Sequence, residues 1–156
     1  QRNVIKKKFI FIYMVAYTPE ILNDAIKYGK KNNCDVYCMH YNYKNFNNVK
    51  NVRSVSPDEF LYYIKNAEIV FCSSYHAVCF SILFKKKFFV ALDTSVNNNN
   101  SRINTLLSNL DLNERIFEKN KEYNDEIDYR NTFIKLEKLK DDSFKFIEKT
   151  IMERNA

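Results

Sequence analysis

Four short apolar runs, each followed by the marks of a helix start, constrain what this 156-residue chain can fold into. Phe9 to Val15 and Val36 to Tyr41 are near-continuous β-prone stretches, and Ile69 to Cys72 and Phe88 to Leu92 are shorter but as apolar. Runs without polar alternation read as strands buried on both faces. After the first run, Thr18-Pro19-Glu20 supplies a cap, a first-position proline and an acidic first turn. Leu22, Ala25, Ile26 and Gly29 then share one helix face; Gly29 either lets that helix approach the sheet or ends it. Ser56-Pro57-Asp58-Glu59 is a capping box ahead of Phe60, Leu61 and Ile64. Between these, residues 42–51 read as an exposed Asn- and Lys-rich loop, and Val52 to Val55 as a short extra strand. Strand followed by helix, repeated, predicts a parallel sheet covered on both faces: a three-layer, doubly wound α/β domain spanning residues 1–156.

The stretch from residue 66 to residue 84 is the most informative. A buried strand, Ile69 to Cys72, breaks at Ser73-Ser74, and a largely apolar helix runs from Tyr75 to Phe84. His76 falls in the first turn of that helix, where backbone N–H groups face outward and the dipole favours an anion. In a doubly wound sheet, ligands bind beyond the carboxyl ends of the strands. Tyr17, the Ser73–His76 turn and the 93–102 loop are expected to meet there, with Ser101 capping a helix that carries Ile103, Leu106, Leu107 and Leu110. His40, inside the second strand, reads as structural. From Asp128 to Met152 a long helix is expected, with Phe133, Leu136, Leu139, Ile147 and Ile151 as its apolar positions.

The formal net charge of +6 suits an anionic ligand, an acidic glycan or a membrane surface. No nucleic-acid-binding signature stands out. Cys34, Cys38, Cys72 and Cys79 match neither a zinc pattern nor a CxxC motif, which points to reduced thiols in a cytosolic protein without a metal.

The segments Ser56-Pro57-Asp58-Glu59-Phe60-Leu61, Ile64-Lys65-Asn66-Ala67, Ser73-Ser74-Tyr75-His76 and Phe80-Ser81-Ile82-Leu83-Phe84 resemble the carboxyl-terminal half of polysaccharide pyruvyl transferases. Ser101-Arg102-Ile103 with Leu106-Leu107, Leu112-Asn113-Glu114-Arg115, Ile127-Asp128-Tyr129 and Ser143-Phe144-Lys145-Phe146 resemble later motifs of the same family. Ala77 and Asp111 stand where the family has glycine, and Lys87 where proline is common.

The resemblance implies the Rossmann-like, donor-binding half of a two-domain enzyme with a GT-B-type glycosyltransferase fold. Residues 127–156 would be its closing helix, and an amino-terminal acceptor domain would precede residue 1. It implies transfer of a pyruvyl group from phosphoenolpyruvate to sugar hydroxyls of a glycan or lipid-linked saccharide. That places the protein in the cytoplasm, at the inner face of the membrane, with peripheral membrane contact and no cofactor. His76 would be the catalytic acid, and Arg102, Ser73, Ser74, Tyr75 and Ser101 would bind substrate. Two other classes stay open: the donor domain of a nucleotide-sugar glycosyltransferase, and a non-catalytic domain derived from such an enzyme.

Overall fold

The computed structural model describes residues 5–94, 100–123 and 126–154. Its strands are β1 (Phe9–Met14), β2 (Asp35–His40), β3 (Lys50–Val52), β4 (Ile69–Cys72) and β5 (Lys87–Val90). Its helices are α1 (Pro19–Lys31), α2 (Pro57–Asn66), α3 (Tyr75–Leu83), α4 (Ser101–Asn109) and α5 (Tyr129–Arg154). The strands form one sheet in the order β3-β2-β1-β4-β5, every neighbouring pair parallel. The chain winds outward in both directions from β1, so the strand order reverses between β1 and β4.

Two apolar layers flank the sheet. On one side Phe9, Phe11, Val70, Cys72, Phe88 and Val90 pack under α2, α3 and α4. On the other, Ile10, Ile12, Met14, Phe71 and Phe89 pack under α1 and Tyr123. The strand runs are unbroken in hydrophobicity because both faces are covered. The domain is thus a three-layer, doubly wound α/β fold, as the strand–helix alternation implies.

With one glycine in the chain, other residues occupy the left-handed positions that end helices. Asn33, Lys85 and Asp111 follow α1, α3 and α4 with φ of 52°, 53° and 54°. Lys85 and Asp111 close the paired backbone bonds of a Schellman turn; after α3, Lys86 N donates to Ser81 O at 2.8 Å and Lys85 N to Ile82 O at 3.0 Å, while after α1 Cys34 N donates to Gly29 O at 2.9 Å. Asp111 occupies a position where the family motif has glycine, and its backbone shows why glycine suits it. Gly29 serves the other use of glycine. A Cβ there would lie 2.6 Å from Val36 Cγ2, so the residue lets α1 press onto the sheet, and the helix runs on to Lys31.

Two expectations shift. β3 lies at Lys50–Val52, not Val52 to Val55; only Val52 is buried, and Ser54 turns left-handed (φ 49°), which ends pairing there. The strand therefore takes the last two residues of the stretch read as loop. Ser101 does not cap α4: it is the first helical residue, and Asn100 holds the cap position.

α5 changes character along its length. Tyr129, Leu136 and Leu139 pack on the α2–α4 side of the core. Further on, Phe144 (61%), Phe146 (70%), Ile147 (50%), Ile151 (56%) and Met152 (71%) are exposed. The apolar stripe of this helix is thus packed over its first turns and exposed over its outer half.

Candidate functional site

β4 delivers the site. Ile69–Cys72 is fully buried, so the residue after it is fixed by the sheet. Ser73 N donates to Tyr13 O, continuing the β1–β4 ladder by one rung. The Ser73 hydroxyl then accepts from Val15 N (3.0 Å) and Ala16 N (3.2 Å) and donates to Ala16 O (3.0 Å). All of its bonding capacity is used within the protein, and it ties the β1 loop to the β4 turn at the reversal of strand order.

Ser74 is buried and caps α3, its hydroxyl accepting from Ala77 N at 3.5 Å. The remaining N–H groups of the first turn have no intrahelical acceptor by the geometry of any α-helix. Ala77 itself is fully buried beneath that turn. Tyr75 and His76 open the helix, their rings edge to face at 5.9 Å, and His76 is exposed.

α4 brings the cation. The Asn100 side chain accepts from Asp93 N (2.9 Å) and donates to Asp93 O (2.7 Å), an amide pairing that closes the loop between β5 and α4 at its base. Asn100 is thereby drawn away from capping, which is why its cap position carries no side-chain bond. Arg102 follows, its guanidinium 5.0 Å from the centre of the Tyr75 ring. The pKa of the Tyr75 phenol is raised, chiefly by its hydrogen bond with Cys79, and Arg102 opposes that shift.

These groups line a cavity of about 240 Å³ over β1 and β4. Ser73, Ser74, Tyr75, His76 and Arg102 are all in its wall, with Val15, Ala16, Asp93 and Asn100. Ser101 is exposed and outside it. Tyr17 is outside it too, stacked on Phe46 at 5.4 Å with the Lys44 ammonium 4.2 Å from its ring centre. The cavity offers an imidazole, a guanidinium and a helix amino end within one small volume. That set can hold an anion and hand a proton to something beside it.

The pattern of the polysaccharide pyruvyl transferase family matches residues 1–96. The chain belongs to that family. The family match includes His76 and its serine turn; Arg102 and the later motifs lie beyond it. Comparison with curated proteins finds no match. Among solved structures, the chain is similar to the UDP-GlcNAc 2-epimerase of Methanocaldococcus jannaschii in complex with UDP-GlcNAc and UDP. The identity is 12% and the TM-score 0.46, over 63% of this chain and 33% of that one. It is similar also to the UDP-GlcNAc 2-epimerase of Neisseria meningitidis bound to UDP-GlcNAc, with 11% identity and a TM-score of 0.47, over 88% of this chain and 37% of that one. The chain thus spans about a third of the length of either enzyme, and likeness of this degree carries nothing about its chemistry.

Asp24 and Tyr123 are residues of consequence that sequence did not mark. Asp24, in the middle of α1, is 5% exposed. It accepts from Asn120 N and Tyr123 Oη, both at 2.9 Å, and so straps residues 117–123 across the sheet. Burial and this bond push the Tyr123 phenol up. Arg115 is 2% exposed, paired with Glu114 at 3.1 Å and lying 5.2 Å from the Phe89 ring centre. Cys38 and Cys72 are buried thiols pushed up to about 12 by desolvation, the opposite of an activated nucleophile. Among the described residues, no helix is long and apolar enough to cross a membrane.

Proposed function

We propose that this chain is the donor-binding half of an enzyme that moves a pyruvyl group from phosphoenolpyruvate onto two hydroxyls of a sugar. One observation carries the reading: His76 and Arg102 line a single cavity at the amino end of α3, where the strand order reverses. The exposed outer half of α5 supports the two-domain part of the reading, as the apolar stripe would meet the acceptor domain.

The chemistry sets the roles. One sugar hydroxyl adds to C2 of phosphoenolpyruvate and passes its proton to the phosphate, while the methylene carbon takes a proton from His76. Loss of the protonated phosphate then leaves a cation at C2, stabilised by the first sugar oxygen. The second hydroxyl attacks it, closes the ketal and returns its proton to His76. His76, protonated, supplies the proton to the methylene carbon. Arg102 holds the phosphate or carboxylate by charge-assisted hydrogen bonds, aided by the free N–H groups of the α3 first turn. Ser74 shapes that turn. Ser73 keeps the β1 loop against it, and Tyr75 carries the Arg102 guanidinium on its ring face.

Steady-state kinetics with phosphoenolpyruvate varied, in the enzyme that joins this chain to its acceptor half, tests the proposal. His76→Ala should lower turnover by at least roughly a hundredfold with binding less affected. Near-normal turnover would remove His76 from catalysis. A calorimetric titration separates the remaining reading: saturable binding of a nucleotide sugar, with none of phosphoenolpyruvate, would make the domain a nucleotide-sugar donor site instead.

A further inference from the structure

The cavity of His76 and Arg102 suits anions, yet its wall contains an acid. Among the described residues, Asp93 is the only Asp or Glu that lines it. Asp93 is half-buried and lies just beyond the end of β5, beside β4 in the sheet. Around the cavity the β1 loop (Val15, Ala16), the β4 turn (Ser73, Ser74) and Asp93 thus follow in strand order. Asp93 is held there by its main chain. Its N–H donates to Asn100 Oδ1 (2.9 Å), and its carbonyl accepts from Asn100 Nδ2 (2.7 Å). That pairing, which closes the loop at its base, makes no use of the carboxylate.

Phosphoenolpyruvate brings a phosphate and a carboxylate. Arg102 and the amino end of α3 attract both groups, whereas a carboxylate repels them. An acid at this place therefore does nothing for the donor. The second substrate is different: a sugar unit brings many hydroxyls and need bring no charge. An ionised carboxylate is an acceptor only, and its two oxygens can take hydrogen bonds from neighbouring hydroxyls of one ring. The protons of the two reacting hydroxyls go to phosphate and to His76, so the hydroxyls left for Asp93 are those that do not react.

We propose that Asp93 binds the acceptor, its carboxylate accepting hydrogen bonds from non-reacting hydroxyls of the sugar. The inference rests on the pyruvyl-transfer reading and deepens it by naming the substrate class. The same charge that holds hydroxyls turns away a uronate or a phosphorylated unit, so the acceptor is a neutral sugar unit. Donor and acceptor are then sorted by charge within one cavity, the donor by Arg102 and the acceptor by Asp93.

Asp93→Asn tests this, because the variant keeps the main-chain bonds to Asn100; its melting temperature checks that it folds. Calorimetric titration of phosphoenolpyruvate into this chain should show affinity unchanged or up to roughly tenfold higher, since a like charge has been removed. Kinetics follow in the enzyme that joins this chain to its acceptor half, with the methyl glycosides of glucose, galactose and mannose as acceptors. Asp93→Asn should raise KM for the glycosides it uses by about tenfold or more, as a charge-assisted acceptor is lost. Wild type should favour methyl glucoside over the methyl glycoside of glucuronic acid by at least about tenfold in kcat/KM. Asp93→Asn should narrow that preference, and Asp93→Glu, which keeps the charge, should restore most of it. An unchanged glycoside KM, or an unchanged preference for glucoside over glucuronide, would overturn the inference and leave pyruvyl transfer standing. So would weaker phosphoenolpyruvate binding by Asp93→Asn, which would make the residue a support for Arg102. A wild-type enzyme that binds phosphoenolpyruvate but uses none of the neutral glycosides would overturn the substrate class. Absence of phosphoenolpyruvate binding by the wild-type chain would instead remove the pyruvyl-transfer reading, and this inference with it.

Discussion

His40 and His76 stand at the carboxyl edge of one sheet, on either side of β1, and differ in almost everything else. His40 ends β2 and is 6% exposed. Its Nδ1 accepts from Asn42 N at 3.1 Å, its ring lies 5.7 Å from that of Phe46, and Nε2 is buried with no partner among the described residues. Burial first, and the Lys44 charge second, push its pKa down. His76 opens α3, is exposed, and lines the cavity with Arg102. A strand that runs into its own covering loop keeps its last side chain neutral and dry. A strand that ends in a serine turn and a capped helix lifts the next ionisable group into a cavity. Residue type and edge are shared, so the turn that follows the strand decides between structure and chemistry.

Kinetics should separate the two residues most widely. His76→Ala is expected to lower turnover at least roughly a hundredfold, while His40→Phe leaves it within a few-fold. A comparable loss from both would mean that the contrast is only one of packing. Arg102→Ala comes next. It should raise KM for phosphoenolpyruvate by about 10- to 100-fold with a smaller change in kcat, as a charge-assisted bond worth roughly 1.5–3 kcal/mol is removed. A fall in kcat with KM unchanged would move Arg102 from binding to the transition state.

The acid response of stability probes His40 alone. Its folded pKa lies below the ordinary value of 6.5. Between those two values the unfolded chain holds a proton that the folded chain does not. Stability should therefore fall as pH drops from about 6.5 through the folded pKa and level off below it. Chemical denaturation across that range should show the slope, and His40→Phe should flatten it; an unchanged slope would place the titration elsewhere. The smallest effect concerns the far end of α3. Lys85→Gly relieves a left-handed backbone (φ 53°) and should raise Tm by about 2 °C, equivalent to roughly 0.5–1 kcal/mol. A change in turnover from this substitution would show that the end of α3 is felt at its start.

Much of the fold is legible in the sequence because both sheet faces are buried, and unbroken apolar runs have no other stable use in a chain of this length. The Ser56–Glu59 box reads directly, since both of its reciprocal bonds are local. β3 is harder: a three-residue edge strand with one buried side chain has almost no periodicity to read. Ser101 looks like a cap by type, but Asn100 precedes it, and its amide is used on Asp93. His76 and Arg102 are recognisable because each begins a helix that follows a strand end. The task of the Ser73 hydroxyl is not, as its partners lie 57 and 58 residues earlier. Asp24 is hidden for the same reason: Tyr123, its partner, comes 99 residues later, on a strap without a repeating pattern.

The Ser73 tie also bears on time. Val15 and Ala16 leave the ribosome well before Ser73, and the loop between them must close before the hydroxyl can bridge both. Closing a loop of that length costs entropy that no local contact returns. The β1 loop is therefore held in place only once β4 has docked on β1 and brought Ser73 to it. The wall of the cavity thus depends on a contact of long sequence separation, and a chain ended before Ser73 would lack the tie.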